Sequence, residues 1–153
     1  MIRLVVNGAR GRMGRMVLEA AAATPDMQVV AIVEAPGHPE ADTRVATPWG
    51  PLALRTGCEG LGGIADAAID FSFPGAAVAF IRAMAAQGIP VVSGTTGLTR
   101  ADQDAVGAAA AHAPILWAPN TSVAVFVMHE LAAMARSMLG PGYDIELVEV
   151  HHR

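Results

Sequence analysis

Gly8-Ala9-Arg10-Gly11-Arg12-Met13-Gly14 follows an aliphatic run, Ile2 to Val6, and opens a stretch of helical periodicity. The reading of that junction decides the fold. A continuous β-branched and aliphatic run suits a strand buried on both faces. The first glycine lets the chain turn tightly off such a strand. The second lets backbone amides approach a pyrophosphate, and the third lets the helix pack against the sheet. Bare amides at the helix N-terminus then attract phosphate charge. The spacing is G-x-x-G-x-x-G, not the commoner G-x-G-x-x-G, so context carries more weight than the pattern. Glu34 ends a second aliphatic run, twenty residues after Gly14. An acid there can accept hydrogen bonds from the ribose hydroxyls of an adenosine. The plainer alternative is a tight glycine turn with a solvent-facing glutamate.

Outward from this junction, the periodicity alternates between strand and helix. Arg12 to Ala23 reads as a helix with Met13, Met16, Val17 and Ala20 on one side, stopped by Pro25-Asp26. Gln28 to Val33 reads as a buried strand. Glu34 to Gly63 is rich in proline and glycine, with one short strand predicted near Leu52 to Arg55. Ala68 to Ser72 is a strand, and Pro74 starts a helix that runs to about Gln87 and closes at Gly88. Ile89 to Val92 is the next strand. Thr99 caps a helix through about His112, with Asp102 in its first turn. Ile115 to Trp117, a long apolar helix over Ser122 to Leu139, and a final strand over Asp144 to Val150 complete the series. This order predicts an α/β fold of the Rossmann-like, doubly wound kind: a mainly parallel sheet with helices on both faces. Residues 1–122 would form the dinucleotide-binding domain. Residues 123–153 would form a connecting helix and the first strand of a second domain.

Composition narrows the partners. The chain has 153 residues, 53% hydrophobic and 16% charged, which suits a packed core. Its net charge of −4, with ten scattered basic residues, argues against nucleic acid. No stretch approaches the ~18 continuous apolar residues of a membrane span, so no membrane partner is expected. The single cysteine, Cys58, cannot form an internal disulfide, which suits a reducing cytosol. A cytoplasmic location is therefore expected.

In doubly wound sheets, ligands lie beyond the carboxyl ends of the strands. Asp70-Phe71-Ser72-Phe73-Pro74, Gly94-Thr95-Thr96-Gly97 and Ala118-Pro119-Asn120-Thr121-Ser122 all fall at such ends. Asn120 offers both a donor and an acceptor, which suits a carboxamide. Each block taken singly is more often a turn or a helix cap than a ligand site.

Together with Glu149-x-His151-His152-Arg153, these blocks resemble the dihydrodipicolinate reductase family, in the family's order and across the whole chain. The resemblance implies that Gly8, Ala9, Arg10, Gly11, Arg12 and Met13 hold the pyrophosphate and that Glu34 holds the adenosine ribose. It places Gly94, Thr95, Thr96, Ala118, Pro119, Asn120 and Thr121 around the nicotinamide. The implied cofactor is NADH or NADPH. An arginine commonly follows the ribose acid in the family and meets the 2′-phosphate, but Ala35 stands there in this chain. NADH is therefore expected to serve at least as well as NADPH, although Arg10 or Arg12 could reach a 2′-phosphate. The implied reaction reduces a small cyclic dicarboxylate imine to tetrahydrodipicolinate, a step of lysine and diaminopimelate biosynthesis. His151 is the implied proton donor and His152 the implied substrate contact. Histidine titrates near neutrality and can act as an acid there. Adjacent strand residues point to opposite faces, so the pair makes a poor metal site and no metal is expected.

The sequence also departs from the family. A lysine and a Pro-Ser-Gly-Thr-Ala loop that bind the substrate carboxylates are expected soon after the His-His-Arg stretch, but the sequence ends at Arg153. Thr121 and Ala124 stand where a bulkier residue and a glycine are usual. The expectation is a reductase whose C-terminal α+β substrate domain, which also forms the family's homotetramer, is largely missing. Such a chain should be inactive or impaired. The competing reading is a non-catalytic NAD(H)-binding module or sensor. Semialdehyde dehydrogenase chemistry needs a nucleophilic cysteine, and Cys58 lies in an irregular glycine-rich stretch.

Overall fold

The computed structural model describes residues 1–148, in two compact units divided between Pro119 and Asn120. The sequence reading places that boundary three residues later, after 122. The first unit is a seven-stranded sheet in the order β3-β4-β2-β1-β5-β6-β7. The strands are β1 (Ile2–Asn7), β2 (Met27–Val33), β3 (Arg44–Val45), β4 (Leu52–Arg55), β5 (Ala67–Asp70), β6 (Val91–Ser93) and β7 (Ile115–Trp117). The helices are α1 (Arg12–Ala22), α2 (Pro74–Ala86) and α3 (Arg100–Ala109). All strand pairs are parallel except β3 with β4. This is the doubly wound α/β architecture that the periodicity predicts.

Alternation along β1 builds two cores. Val5 packs on one face with Phe80, Ile81 and Met84 of α2 and Val106 of α3. Leu4 and Val6 pack on the other with Ala21, Val17 and Leu18 of α1. Ile32 and Ile81 are wholly buried, and burial of such side chains stabilises by roughly 1.5–3 kcal/mol each. The chain leaves β1 towards β2 and leaves β5 towards β6, on opposite sides. The sheet therefore reverses its winding between β1 and β5, and a crevice opens at their carboxyl ends.

Several local expectations are corrected. Met13, Met16 and Ala20 are exposed, and α1 instead buries Gly14 and Ala21, with Val17 and Leu18 half-buried. The contact at Gly14 is backbone against backbone, which hydrophobic periodicity cannot register. β5 stops at Asp70, before Ser72, because Phe71 and Ser72 turn out over the crevice. β6 begins at Val91, after Pro90, which has no amide to donate. α3 ends at Ala109, not His112: Ala111 and His112 donate to carbonyls three residues back, tightening the chain towards Pro114. The short strand β3, antiparallel to β4, lies in the proline-rich stretch where one strand alone is predicted.

In the second unit, α4 (Val123–Leu139) is capped by Ser122, whose Oγ accepts from the Val125 amide at 3.4 Å. It ends at Gly140, in the left-handed region with φ 76°. The strand expected over Asp144 to Val150 is not formed over 144–148, and its remainder lies outside the described residues. A strand needs a paired neighbour for its amides and carbonyls, and no described segment pairs with this one. No helix among the described residues is long and apolar enough to cross a membrane.

Candidate functional site

The crevice between β1 and β5 is built by the glycine turn. Gly8 has φ +73° and its amide donates to the Val33 carbonyl at 3.0 Å, which ties the turn to the end of β2. A Cβ on Gly8 would collide with the Phe71 carbonyl, and one on Gly14 would collide with the Gly8 carbonyl and lie 2.7 Å from the Ala9 Cα. The first and third glycines are therefore required by close backbone approach. Gly11 is the N-cap of α1 and supplies no side-chain cap. The first turn of α1 is left to attract an anion. Arg12 and Met13 lie exposed in that turn.

Glu34 meets this turn directly. Its Oε1 accepts from the Arg10 amide at 2.7 Å, and its own amide donates to the Arg55 carbonyl. A cleft of about 210 Å³ runs between Gly8, Gly11, Glu34 and Phe71 to Phe73. A second, of about 230 Å³, continues from Glu34 and Ala35 past Asn7, Cys58 and Phe80. Burial pushes the Cys58 thiol up, with Glu59 adding to the effect, so it is not an activated nucleophile. A larger open groove, about 690 Å³, touches Ala9 and Arg10 and is otherwise formed by α1, Ala23 and 45–48.

The later loops are organised around Asp70, to which the sequence reading assigned no role. Its carboxylate is fully buried and accepts from Asn7 Nδ2 at 2.7 Å, Ser72 Oγ at 2.6 Å, Ser93 Oγ at 2.6 Å and Thr95 Oγ1 at 2.8 Å. The Ser72 amide donates to Thr95 Oγ1, and Trp117 Nε1 donates to the Thr95 carbonyl at 2.8 Å. Thr95 is thus buried with its hydroxyl engaged, and it fixes the chain rather than offering a free group. Thr96 is exposed beside it. Gly94 faces the Phe71 ring so closely that a Cβ there would overlap it. A signal for Asp70 does exist: the polar residues Asn7, Asp70 and Ser93 each end an aliphatic run, and the sheet register sets them side by side.

Glu40 was also missed. It accepts from Arg10 Nε at 2.6 Å and Nη2 at 2.9 Å. That pair raises the Arg10 guanidinium and lowers the Glu40 carboxyl from their ordinary values. Nothing in the sequence joins two residues thirty apart across a proline-rich loop.

Ala118 and Pro119 follow β7 in the first unit. Asn120 and Thr121 open the second, where Asn120 Oδ1 accepts from the Ser122 amide at 2.8 Å. His151 and His152 lie outside the described residues. Among the described residues, no group of three or more His, Cys, Asp or Glu side chains could hold a metal.

The family profile described as dihydrodipicolinate reductase, N-terminus, matches residues 2–121. The chain belongs to the dihydrodipicolinate reductase family. Its similarity to the 4-hydroxy-tetrahydrodipicolinate reductase of Thermomicrobium roseum is 42% identity over 153 residues, covering 100% of this chain and 58% of that protein. The enzyme of the same name from Thiobacillus denitrificans is 36% identical, covering 99% and 58%. The chain thus spans 58% of the length of these curated relatives. A dipicolinate-bound dihydrodipicolinate reductase from a Paenisporosarcina species superposes with a TM-score of 0.72 at 21% identity, covering 88% of this chain and 53% of that one. An aspartate semialdehyde dehydrogenase from Vibrio cholerae superposes at 0.57 with 14% identity, covering 78% and 42%. These two likenesses concern the fold alone. A nicotinamide dinucleotide is the cofactor class of the family. The glycine cradle, the uncapped helix and the placed carboxylate fit such a group.

Proposed function

We propose that residues 1–122 are the cofactor domain of an NAD(P)H-dependent 4-hydroxy-tetrahydrodipicolinate reductase of lysine biosynthesis. The observation that carries this reading is the Glu34 carboxylate at 2.7 Å from the Arg10 amide, where the sheet reverses its winding. Gly8 to Met13 bind the pyrophosphate through amides, and Glu34 exchanges the Arg10 amide for ribose hydroxyls. Gly94, Thr95 and Thr96, braced on Asp70, bound the nicotinamide end. The family resemblance, not the fold, assigns Ala118, Pro119, Asn120 and Thr121 to the same end. When bound, the cofactor supplies a hydride.

A hydride acceptor also needs a proton. His151 is proposed to hold it and His152 to contact the cyclic dicarboxylate, both on the resemblance alone. The relatives are longer, and we propose that turnover and tetramer formation need the remainder. The cytoplasm is the proposed location. Ala35 beside the ribose acid offers no cation, so NADH is proposed to bind at least as tightly as NADPH.

Calorimetric titration with both cofactors tests this reading. Saturable binding is expected, weakened about tenfold by Glu34→Ala, which removes a charged acceptor. NADPH affinity about tenfold above that for NADH contradicts the proposed preference. Binding without consumption of NADH, even when substrate and the C-terminal part of a relative are supplied, contradicts the reductase reading and favours a sensor.

A further inference from the structure

We infer that Glu40 selects against a 2′-phosphorylated dinucleotide by holding Arg10. The inference rests on the dinucleotide reading above.

The chain contains no lysine, so a cation for a 2′-phosphate must be an arginine or a histidine. Arg10 is joined to the ribose acid through its own amide, 2.7 Å from Glu34 Oε1. Its side chain therefore starts beside the ribose. Its guanidinium fork, however, is already matched to a carboxylate, with Nε to Glu40 Oε2 at 2.6 Å and Nη2 to Glu40 Oε1 at 2.9 Å. Such bidentate pairing is the geometry by which arginine recognises phosphate.

Glu40 is held in place to do this. Its amide donates to His38 Nδ1 at 3.2 Å, and its carbonyl accepts from the Thr43 hydroxyl at 2.7 Å and the Thr43 amide at 3.1 Å. Hydrogen bonds within the loop thus fix the backbone on both sides of Glu40. Arg10 also holds the Glu40 carboxyl below its ordinary range, with smaller contributions from His38 and Arg15, so it is ionised at neutral pH.

A 2′-phosphate brings about 1.5 to 2 further negative charges. With its Nε and Nη2 edge committed to Glu40, Arg10 meets them either by leaving an unpaired carboxylate that faces the phosphate, or through its remaining N–H groups with its charge already offset by Glu40. A 2′-hydroxyl needs only to donate to Glu34 and leaves the pair intact. Glu40 acts through Arg10 and not by touching the dinucleotide.

The test measures dissociation constants for NADH and NADPH by calorimetry in the unsubstituted chain, in Glu40→Gln and in Arg10→Ala/Glu40→Gln. Adenosine 2′,5′-bisphosphate and 5′-AMP serve as a second pair of ligands. Glu40→Gln is expected to raise the ratio of NADPH to NADH affinity about tenfold, with the bisphosphate following. Removing Arg10 as well is expected to abolish that gain. An unchanged ratio in Glu40→Gln, with NADH still bound, overturns the inference alone. So does a gain that survives loss of Arg10, which would assign the phosphate to another cation. Loss of both cofactors in Glu40→Gln overturns it too, by making Glu40 part of the site. Failure of the unsubstituted chain to bind either dinucleotide overturns the underlying reading as well.

Discussion

Asp70 brings four donors from β1, β6 and two loops to one buried carboxylate. Removing it leaves the hydroxyls of Ser93 and Thr95 and the Asn7 amide short of their acceptor, and each unpaired buried group is costly. Asp70→Ala should therefore destabilise the fold by about 3 kcal/mol, read as a lower urea midpoint. A loss below about 1 kcal/mol would show that the loops hold without it. The Arg3–Asp66 pair makes a different prediction. Arg3 bonds both carboxylate oxygens, at 2.7 and 3.0 Å, and holds the Asp66 carboxyl down to about 2 from its ordinary 3.8. A folded-state value below the unfolded one stabilises above the unfolded value, and the effect disappears as pH falls through the folded value. The difference in urea midpoint between the unsubstituted chain and Asp66→Asn should thus shrink as pH falls from about 5 to about 2. A difference that stays constant across that window would contradict the pairing. Both side chains are half exposed, so the effect is small.

Element by element, the sequence was most legible where periodicity and punctuation agree. The aliphatic runs of β1 and β2, Pro74 at the first position of α2, and Thr99 as a cap with Asp102 in the first turn all appear in the structure, which closes the last two into a capping box. The buried face of α1 was not legible, because its closest contact is made by a residue with no side chain. Gly14 lies against Gly8 and Ala9 backbone atoms that cannot yield. Gly14→Ala should cost about 1–3 kcal/mol through overpacking and lower the melting temperature by lifting α1 from β1. A variant as stable as the parent would show that the helix can shift freely. The residues that tune the site were legible only in part. Glu34 sits where strand and glycine turn require an acid, whereas Glu40 and Asp70 act through contacts that only folding brings together.

Over the whole molecule, the two compact units differ in how they are stabilised. Met1–Pro119 contains both cores and every bond around Asp70. In the second unit, no residue of α4 is buried, and Phe126, Leu131, Met134 and Met138 are exposed. In the first unit, we propose, the turn from Gly8 to Met13 forms a dinucleotide site with Glu34. Nitrogen-edited NMR of the chain titrated with NADH tests it at residue resolution. Saturable shifts concentrated on the amides of Gly8 to Met13 and Glu34 are the predicted result. Saturable shifts centred elsewhere, or none at all, would contradict it.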